Sequence, residues 1–201
     1  MYHRPMVRRR AGFVFAVIVS VIALLIFVFF AVFRIVDLSV PVGSEAKNIA
    51  VIPECRLSGE QLDRLDVTNP TESNTLRGED VRLIYCVYDT LKGANGVSYR
   101  ALSIRVREYV HRAAADQDYT VEARILAGSQ PFTVSGGGGV QGLWQRSDLA
   151  TAIAVVQAGS RVIRVQYDGY DKGFFGRVPA DDQGMAAAVR DVAQSMVTMP
   201  R

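Results

Sequence analysis

An uninterrupted apolar run near the start of the chain limits the fold more than any other feature. Residues 11–33 read AGFVFAVIVSVIALLIFVFFAVF, with no charge and with Ser20 as the single hydroxyl. As a helix with a rise of about 1.5 Å per residue, this run is roughly 34 Å long, and the hydrocarbon core of a bilayer is about 30 Å thick. The run therefore predicts a transmembrane helix, followed by a part of the chain that folds separately.

The charges beside this run predict its orientation. Residues 1–10 form a basic tail with four arginines and no acidic residue. By the positive-inside rule the tail is cytoplasmic and everything after about residue 34 lies outside. A cleaved signal peptide is the alternative, because Ser44 and Ala46 are small, but a signal's apolar segment is about 7–15 residues long and lies beside its cleavage site. We therefore expect a single-pass protein of the cell membrane with an extracytoplasmic C-terminal domain.

The charge of the predicted outer part argues against nucleic-acid binding. Five of the 23 basic residues lie in residues 1–34, which leaves 18 basic against 20 acidic residues in the remainder. A nucleic-acid-binding domain usually carries a clustered basic face on a basic module. The basic character of the whole chain thus belongs to its N-terminal segment.

The two cysteines, Cys55 and Cys86, are expected to form a disulfide bond. Two cysteines in an extracytoplasmic domain of this size pair more often than they stay free, because that compartment is oxidising. A lipid anchor on Cys55 is disfavoured, since bulky residues precede it and the apolar run ends about 20 residues earlier. We expect no metal or cofactor, because His111 is the only histidine outside the basic tail and no CxxC spacing occurs.

The pattern of the remaining residues predicts one α+β domain. Residues 34–52 are interpreted as a linker, and residues 53–201 as the domain. Ser58 and Gln61 fit a capping box that opens a helix over residues 59–66, and residues 67–79 are polar enough to predict a loop. The remaining predicted elements are a strand at 80–90, a turn at 92–96, a strand at 97–110, a helix capped by Asp116 or Asp118 and ending at Gly128, strands at 150–157 and 161–168, and a helix from 180.

This order, α-β-β-α-β-β-α, favours an antiparallel sheet of two hairpins with its helices on one face. Within the second predicted strand, Arg100, Leu102, Ile104 and Val106 share one side. The alternate positions, which include Ser103 and Arg105, share the other side. The order of the strands in the sheet is not determined by the pattern.

Several of these landmarks together resemble a known family. They are Cys55–Leu62 (CRLSGEQL), Cys86–Tyr88 (CVY), Val140–Trp144 (VQGLW) and the alanine-rich helix Met185–Met196. On these segments, residues 53–201 resemble the DUF3558 family of small actinobacterial envelope proteins, usually lipoproteins of unknown function. The resemblance implies a cell-surface α+β domain with a disulfide bond, and it assigns no catalytic residues.

Candidate binding residues cluster around a run of four glycines. A glycine loop at residues 136–139 beside Trp144 could cover a ligand groove, and Tyr170 lies in an aromatic loop sequence. The candidate ligand-binding residues are therefore Gly137, Gly138, Trp144 and Tyr170. The competing interpretation has the glycines as a connector and Trp144 as part of the core.

Two further patterns have both a functional and a structural interpretation. Arg105 and Arg107, with Arg82 or Arg100 nearby, could form a basic strip, although Glu108 and the net negative charge favour an ordinary solvated face. In the apolar run, three small residues recur every four positions and could let two helices approach closely, as a homo- or hetero-oligomer. These residues are Gly12, Ala16 and Ser20.

The sequence contains no catalytic motif, since GxSxG is absent and nothing places a nucleophile near His111. We therefore expect an anchored cell-envelope protein whose outer domain is a non-catalytic accessory module. Its expected partners are the lipid bilayer and another envelope or membrane protein. The alternative is an anchored ligand-binding receptor or hydrolase with a groove under the loop at residues 136–139.

Overall fold

A computed structural model describes residues 6–39, 52, 55, 57–90, 99–135, 140–147, 150–173, 176–180 and 182–198. The chain divides into two compact units, Met1–Pro41 and Val42–Arg201. The first contains helix α1, Met6–Ser39. The second, called the sheet unit below, contains all the remaining helices and strands.

Helix α1 contains the predicted apolar run and is longer than predicted. Its segment Phe13–Val36 is long and apolar enough to cross a membrane, a property that it shares with signal sequences. None of this segment is buried within the chain, which distinguishes it from the core helix of a soluble protein. The helix continues to Ser39, so residues 34–39 of the predicted linker are helical, and residues 40–51 lie outside the described residues.

The sheet unit is α+β with an antiparallel sheet, as predicted. Its strands lie in the order β1-β2-β3-β7-β6-β5-β4, and β8 pairs with β7. The strands are β1 Asn69–Arg77, β2 Val81–Asp89, β3 Tyr99–Tyr109, β4 Gln130–Phe132, β5 Val140–Ser147, β6 Thr151–Ala158, β7 Arg161–Gly173 and β8 Gly176–Pro179. The helices are α2 Gly59–Arg64, α3 Arg112–Ile125 and α4 Asp182–Thr198.

The two predicted hairpins pair with each other to form the centre of this sheet. Strand β2 pairs with β3, and β6 pairs with β7 across the turn at Gly159, whose φ of 65° suits a residue without a Cβ. Strands β3 and β7 then pair antiparallel, with Ile104 opposite Val165. The predicted turn at residues 92–96 lies outside the described residues.

The helices cover both faces of the sheet, so the prediction that they share one face is wrong for α3. Leu62 of α2 and Val189 of α4 join one core cluster with Val156 and Ile163. Tyr119 of α3 packs on the opposite face with Val155 and Val162, among others. Neighbouring residues of β6 and β7 therefore point into two different cores.

Strand β1 replaces the loop that was predicted for residues 67–79. Its sequence, NPTESNTLR, is polar because seven of its nine residues are exposed at the edge of the sheet. A register shift between Pro70 and Glu72 interrupts its pairing with β2. A proline, a bulge and charged side chains are common on edge strands, where they discourage pairing with other chains.

The helix predicted to start at Asp116 or Asp118 begins earlier, at Arg112, and His111 at its N-cap provides no side-chain hydrogen bond. The two aspartates instead accept hydrogen bonds from Gln157 and Arg107 on the sheet. Helix α2 begins as predicted, because Ser58 Oγ accepts from the Gln61 N–H at 3.1 Å and Gln61 Oε1 accepts from the Ser58 N–H at 3.0 Å.

The predicted Cys55–Cys86 disulfide is confirmed. The two Cα atoms are 6.4 Å apart, and both residues are fully buried. The bond joins the chain just before α2 to the middle of β2. Beside it, the N–H of Ile52 donates to Tyr88 Oη at 3.3 Å.

Gly169 is expected to tolerate no larger residue, because β7 passes close to the segment that leads into α4. A Cβ at this position would lie 2.9 Å from the Cβ of Ala180, which cannot rotate away. We expect Gly169→Ala to lower the free energy of unfolding by about 1–3 kcal/mol. Urea unfolding of the full chain in detergent, followed by the fluorescence of its single tryptophan, measures the change.

The matched control for that substitution is Gly78→Ala. The nearest atom to a Cβ there lies at 3.4 Å, an ordinary contact distance. The control is expected to unfold like the wild type. Equal unfolding midpoints for the two variants would contradict the predicted close packing at Gly169.

Candidate functional site

The predicted binding residues do not come together at one site. Gly137 and Gly138 lie outside the described residues. Trp144 on β5 packs against the core cluster that contains α4. Tyr170 on β7 alternates with core residues such as Val165 and Tyr167 and so points to the opposite face, beside its cross-strand partner Tyr99. Trp144 and Tyr170 therefore cannot line a common groove.

Trp144 occupies the rim of the core, which agrees with the structural interpretation of this residue. It is half-buried, and the guanidinium of Arg190 on α4 lies 5.4 Å from its ring centroid. Just before the glycine run, the N–H of Ser135 donates to Gln194 Oε1, and Gln194 Nε2 donates to the Ser135 carbonyl. These contacts attach both flanks of the glycine run to α4.

The four arginines of the predicted basic strip are divided between the two faces of the sheet. Arg82 and Arg100 lie on the α4 side, paired with Glu108 and Asp171 respectively. Arg105 and Arg107 lie on the α3 side, since they alternate with the core residues Ile104 and Val106. The four arginines therefore do not form a continuous basic strip.

A buried ion network fixes α3 on the sheet. Glu122, which is 4% exposed, accepts from Arg107 on β3 and from Arg164 on β7, the latter at 2.7 Å. Arg107 also donates to Asp118 at 2.7 Å. The network joins two guanidinium groups of the sheet to two carboxylates of α3, so every one of these bonds connects α3 with the sheet.

The two carboxyls of this network respond differently to burial. Burial would raise the pKa of Glu122, but hydrogen bonds and charge from Arg107 and Arg164 outweigh it and hold that pKa below its usual range. Burial raises the pKa of Asp118, and the single close guanidinium of Arg107 only partly opposes it. Glu122 is thus the carboxylate that the network stabilises in its charged form.

Beyond α3, the same face of the sheet is open and forms a groove, which we call the α3-side groove. Its volume is about 400 Å³, within the range of about 300–1,000 Å³ that is usual for ligand sites. Strands β2, β3 and β7 form its floor. The lining residues are Tyr85, Val87, Tyr99, Ala101, Ser103, Arg105, Arg164, Gln166 and Asp168.

One end of the α3-side groove is basic. Tyr85, Arg105 and Arg164 form a row across three strands, opposite one another in register. The guanidinium of Arg105 lies 5.6 Å from the ring centroid of Tyr85, and Arg105 is exposed. Among the described residues, no carboxylate lies within ion-pair distance of Arg105.

The other end of the α3-side groove is acidic. Asp89, Ala101 and Asp168 form a second row across the same strands; Ala101 and Asp168 line the groove, and Asp89 lies next to them on β2. Asp89 accepts from Asn69 at 2.7 Å, and Asp168 accepts from Thr151 and Gln166, all neutral donors. The pKa of Tyr99 is raised by its burial and further by the negative charges of Asp89 and Asp168.

The floor of the α3-side groove is built mainly from polar and charged side chains. It offers donors, acceptors and aromatic rings of fixed position, but it holds neither cysteine nor histidine. Across the described residues, no group of three or more His, Cys, Asp or Glu side chains could hold a metal ion. Sequence reasoning did not identify Tyr85 or Gln166 as binding residues, although alternation along each strand places both on a defined face.

Two of the three small residues predicted to form a helix-association face lie on one side of α1. Ala16 and Ser20 border a shallow recess on the helix surface, together with Phe13, Val17, Val21 and Leu24. Both are exposed. Association of two helices through this recess stays a prediction.

No protein-family model matches the chain, and neither the curated proteins nor the solved structures contain a match.

Proposed function

We infer that the protein is a single-pass cell-envelope protein, anchored by α1 with its N-terminus in the cytoplasm, whose sheet unit is an extracytoplasmic, non-catalytic binding module. The observation that carries this proposal is the combination of an unburied apolar helix with a disulfide buried in the sheet unit. A disulfide of this kind persists mainly in oxidising compartments. The resemblance to small actinobacterial envelope proteins is in keeping with this proposal.

The binding role is supported by the shape and polarity of the α3-side groove. The helices α2 and α4 pack on the other face of the sheet, whereas the α3-side groove leaves polar side chains of β2, β3 and β7 uncovered. Charged groups that lack ion-pair partners in a concave site favour a ligand over a purely structural role. Partners expected from the sequence are the lipid bilayer and a second envelope or membrane protein, which α1 could bind through Gly12, Ala16 and Ser20.

Membrane orientation tests the proposal directly. In intact bacterial spheroplasts that contain the full chain, added protease is expected to digest the sheet unit and to spare a tag placed before Met1. Mass mapping of the purified, non-reduced protein is expected to recover the peptides of Cys55 and Cys86 linked. Lysed spheroplasts provide the control, since there the tag becomes accessible as well.

Two outcomes would contradict this proposal. A sheet unit that is digested only after lysis, with both thiols free, would place it in the cytoplasm. A mature chain that begins near residue 47 would show a cleaved signal sequence and a released protein instead of an anchored one.

A further inference from the structure

We propose that the α3-side groove binds a short peptide in an extended conformation, with its terminal carboxylate at Arg105 and Arg164 and its terminal ammonium at Asp89 and Asp168. This inference deepens the binding role proposed above and rests on it. The groove itself is a property of the sheet unit and does not depend on the orientation in the membrane.

The basic end of the groove carries a positive charge that the described carboxylates do not fully neutralise. Three guanidinium groups meet there, from Arg105, Arg107 and Arg164, and in the part of the chain that the structure describes two carboxylates, Asp118 and Glu122, oppose them. Glu122 binds both Arg107 and Arg164, so the guanidinium without a carboxylate is that of Arg105. Stacking on Tyr85 holds its planar fork in place, and this fork matches a carboxylate in a two-bond geometry.

The acidic end carries the complementary charge. Asp89 and Asp168 flank Ala101 in register, and the hydrogen-bond donors that they have among the described residues are neutral. The two aspartates lie on β2 and β7, on either side of β3, and none of the described cations pairs with them, so an ammonium group at this end would be attracted to both carboxylates. The arginine that might have served, Arg100, points to the other face and pairs with Asp171.

The separation of the two ends sets the length of the ligand. Arg164 and Asp168 are four residues apart on β7, at about 3.3 Å per residue, or ~13 Å. An extended peptide of about four residues spans the same distance between its termini. Between the ends, Ser103 and Gln166 can form hydrogen bonds with the peptide's amide groups, and Val87 beside them leaves room for small side chains.

Other ligand classes fit this groove less well. A chain of closely spaced anionic groups would meet Asp89 and Asp168 at the far end. An acyl chain would need apolar walls, and the floor of the groove presents mainly polar and charged side chains. Opposite charges at the two ends of one ligand satisfy both ends of the groove.

Tetra-alanine with free termini is the probe, titrated by calorimetry into the full-length protein in detergent micelles. Its C-terminal amide and its N-acetyl derivative each lack one of the two terminal charges. Each derivative is expected to bind about tenfold more weakly than the free peptide. Arg105→Met keeps a long side chain on Tyr85 and is expected to weaken binding of the free peptide by a similar factor. Arg82→Met, on the opposite face, is the matched control and is expected to bind like the wild type.

The decisive comparison combines ligand and variant. In Arg105→Met, amidation of the C-terminus is expected to have little further effect, whereas N-acetylation still weakens binding, since Asp89 and Asp168 are intact. Equal affinity for the free and capped peptides, full binding by Arg105→Met, or no binding of tetra-alanine by the folded wild type would overturn the proposal. Because detergent-solubilised protein is used, these outcomes are independent of the spheroplast experiment that tests the anchor.

Discussion

Replacing both cysteines by alanine is expected to lower the free energy of unfolding of the sheet unit by about 3–4 kcal/mol. Cys55 and Cys86 are 31 positions apart, and closing a loop of that length restricts the unfolded chain by this amount in the chain-entropy model. Both sulfur atoms are also buried, so the paired replacement leaves small voids that add to the loss. Urea unfolding of the full chain in detergent, followed by Trp144 fluorescence, measures the change.

Reduction of the wild type separates the effect of the bond from that of the side chains. A reductant breaks the disulfide bond and keeps both sulfur atoms. The reduced wild type is therefore expected to have a slightly higher free energy of unfolding than the double alanine variant. A double variant within about 1 kcal/mol of the oxidised wild type would refute the stabilising role of the disulfide.

Glu122→Gln is expected to lower the free energy of unfolding by about 3–5 kcal/mol. The substitution keeps the shape of the side chain but removes the charge that both Arg107 and Arg164 require, and removal of one partner from a buried ion network leaves the others uncompensated. The same urea experiment measures it. The expected loss is as large as that of the disulfide, although no covalent bond is broken.

The same substitution in a more exposed ion pair is the matched control. Glu108 pairs with Arg82 at 3.3 Å, and their side chains retain 31% and 41% of their exposure. Glu108→Gln is therefore expected to change stability by about 0–1 kcal/mol. If both glutamine variants lose the same small amount, then the network around Glu122 does not hold α3 on the sheet.

The pH dependence gives the Glu122 prediction a second readout. Because the pKa of Glu122 is lower in the folded protein, its contribution is complete above its unfolded value of about 4.5 and is lost as the pH falls through the folded value. Asp118, whose folded pKa is raised, acts in the opposite direction and is least unfavourable at low pH. Between about pH 5 and pH 3, the free energy of unfolding of Glu122→Gln is accordingly expected to fall less than that of the wild type.

Local sequence patterns were sufficient to predict those elements that depend on residues close together in the sequence. The capping box at Ser58 and Gln61 predicted the start of α2, and alternation predicted β2, β3, β6 and β7, since each of these depends on a few consecutive residues. The disulfide was predicted from the compartment that the apolar run implies. These parts of the fold are determined by local chemistry and composition.

Strand β1 was missed because its own residues do not favour a strand. The sequence NPTESNTLR is polar, and the segment is extended because β2 offers it a row of backbone partners that is interrupted once, between Pro70 and Glu72. Strand formation here is imposed by the neighbouring strand, which a single-segment analysis does not include.

The sequence does contain a pattern that indicates the position of α3, but it is not the alternation of apolar and polar residues. Strands β6 and β7 contain adjacent fully buried pairs, Val155–Val156 and Val162–Ile163, and such unbroken apolar runs are typical of strands covered on both faces. A helix on each face follows from that pattern. The α3-side groove had no comparable signal, because its two charged rows exist only through the pairing of β3 with β7.

That central pairing has a consequence for how the protein is made. Strand β3 ends at Tyr109 and β7 begins at Arg161, so the nascent chain holds the β1–β3 part of the sheet for about fifty residues before the partner strand is synthesised. During that interval the future centre of the sheet is a strand edge with unpaired backbone groups, of the kind that pairs readily with other chains. Strand β1 covers β2 at the opposite edge from the start, whereas β3 stays open to pairing with other chains until β7 has been synthesised.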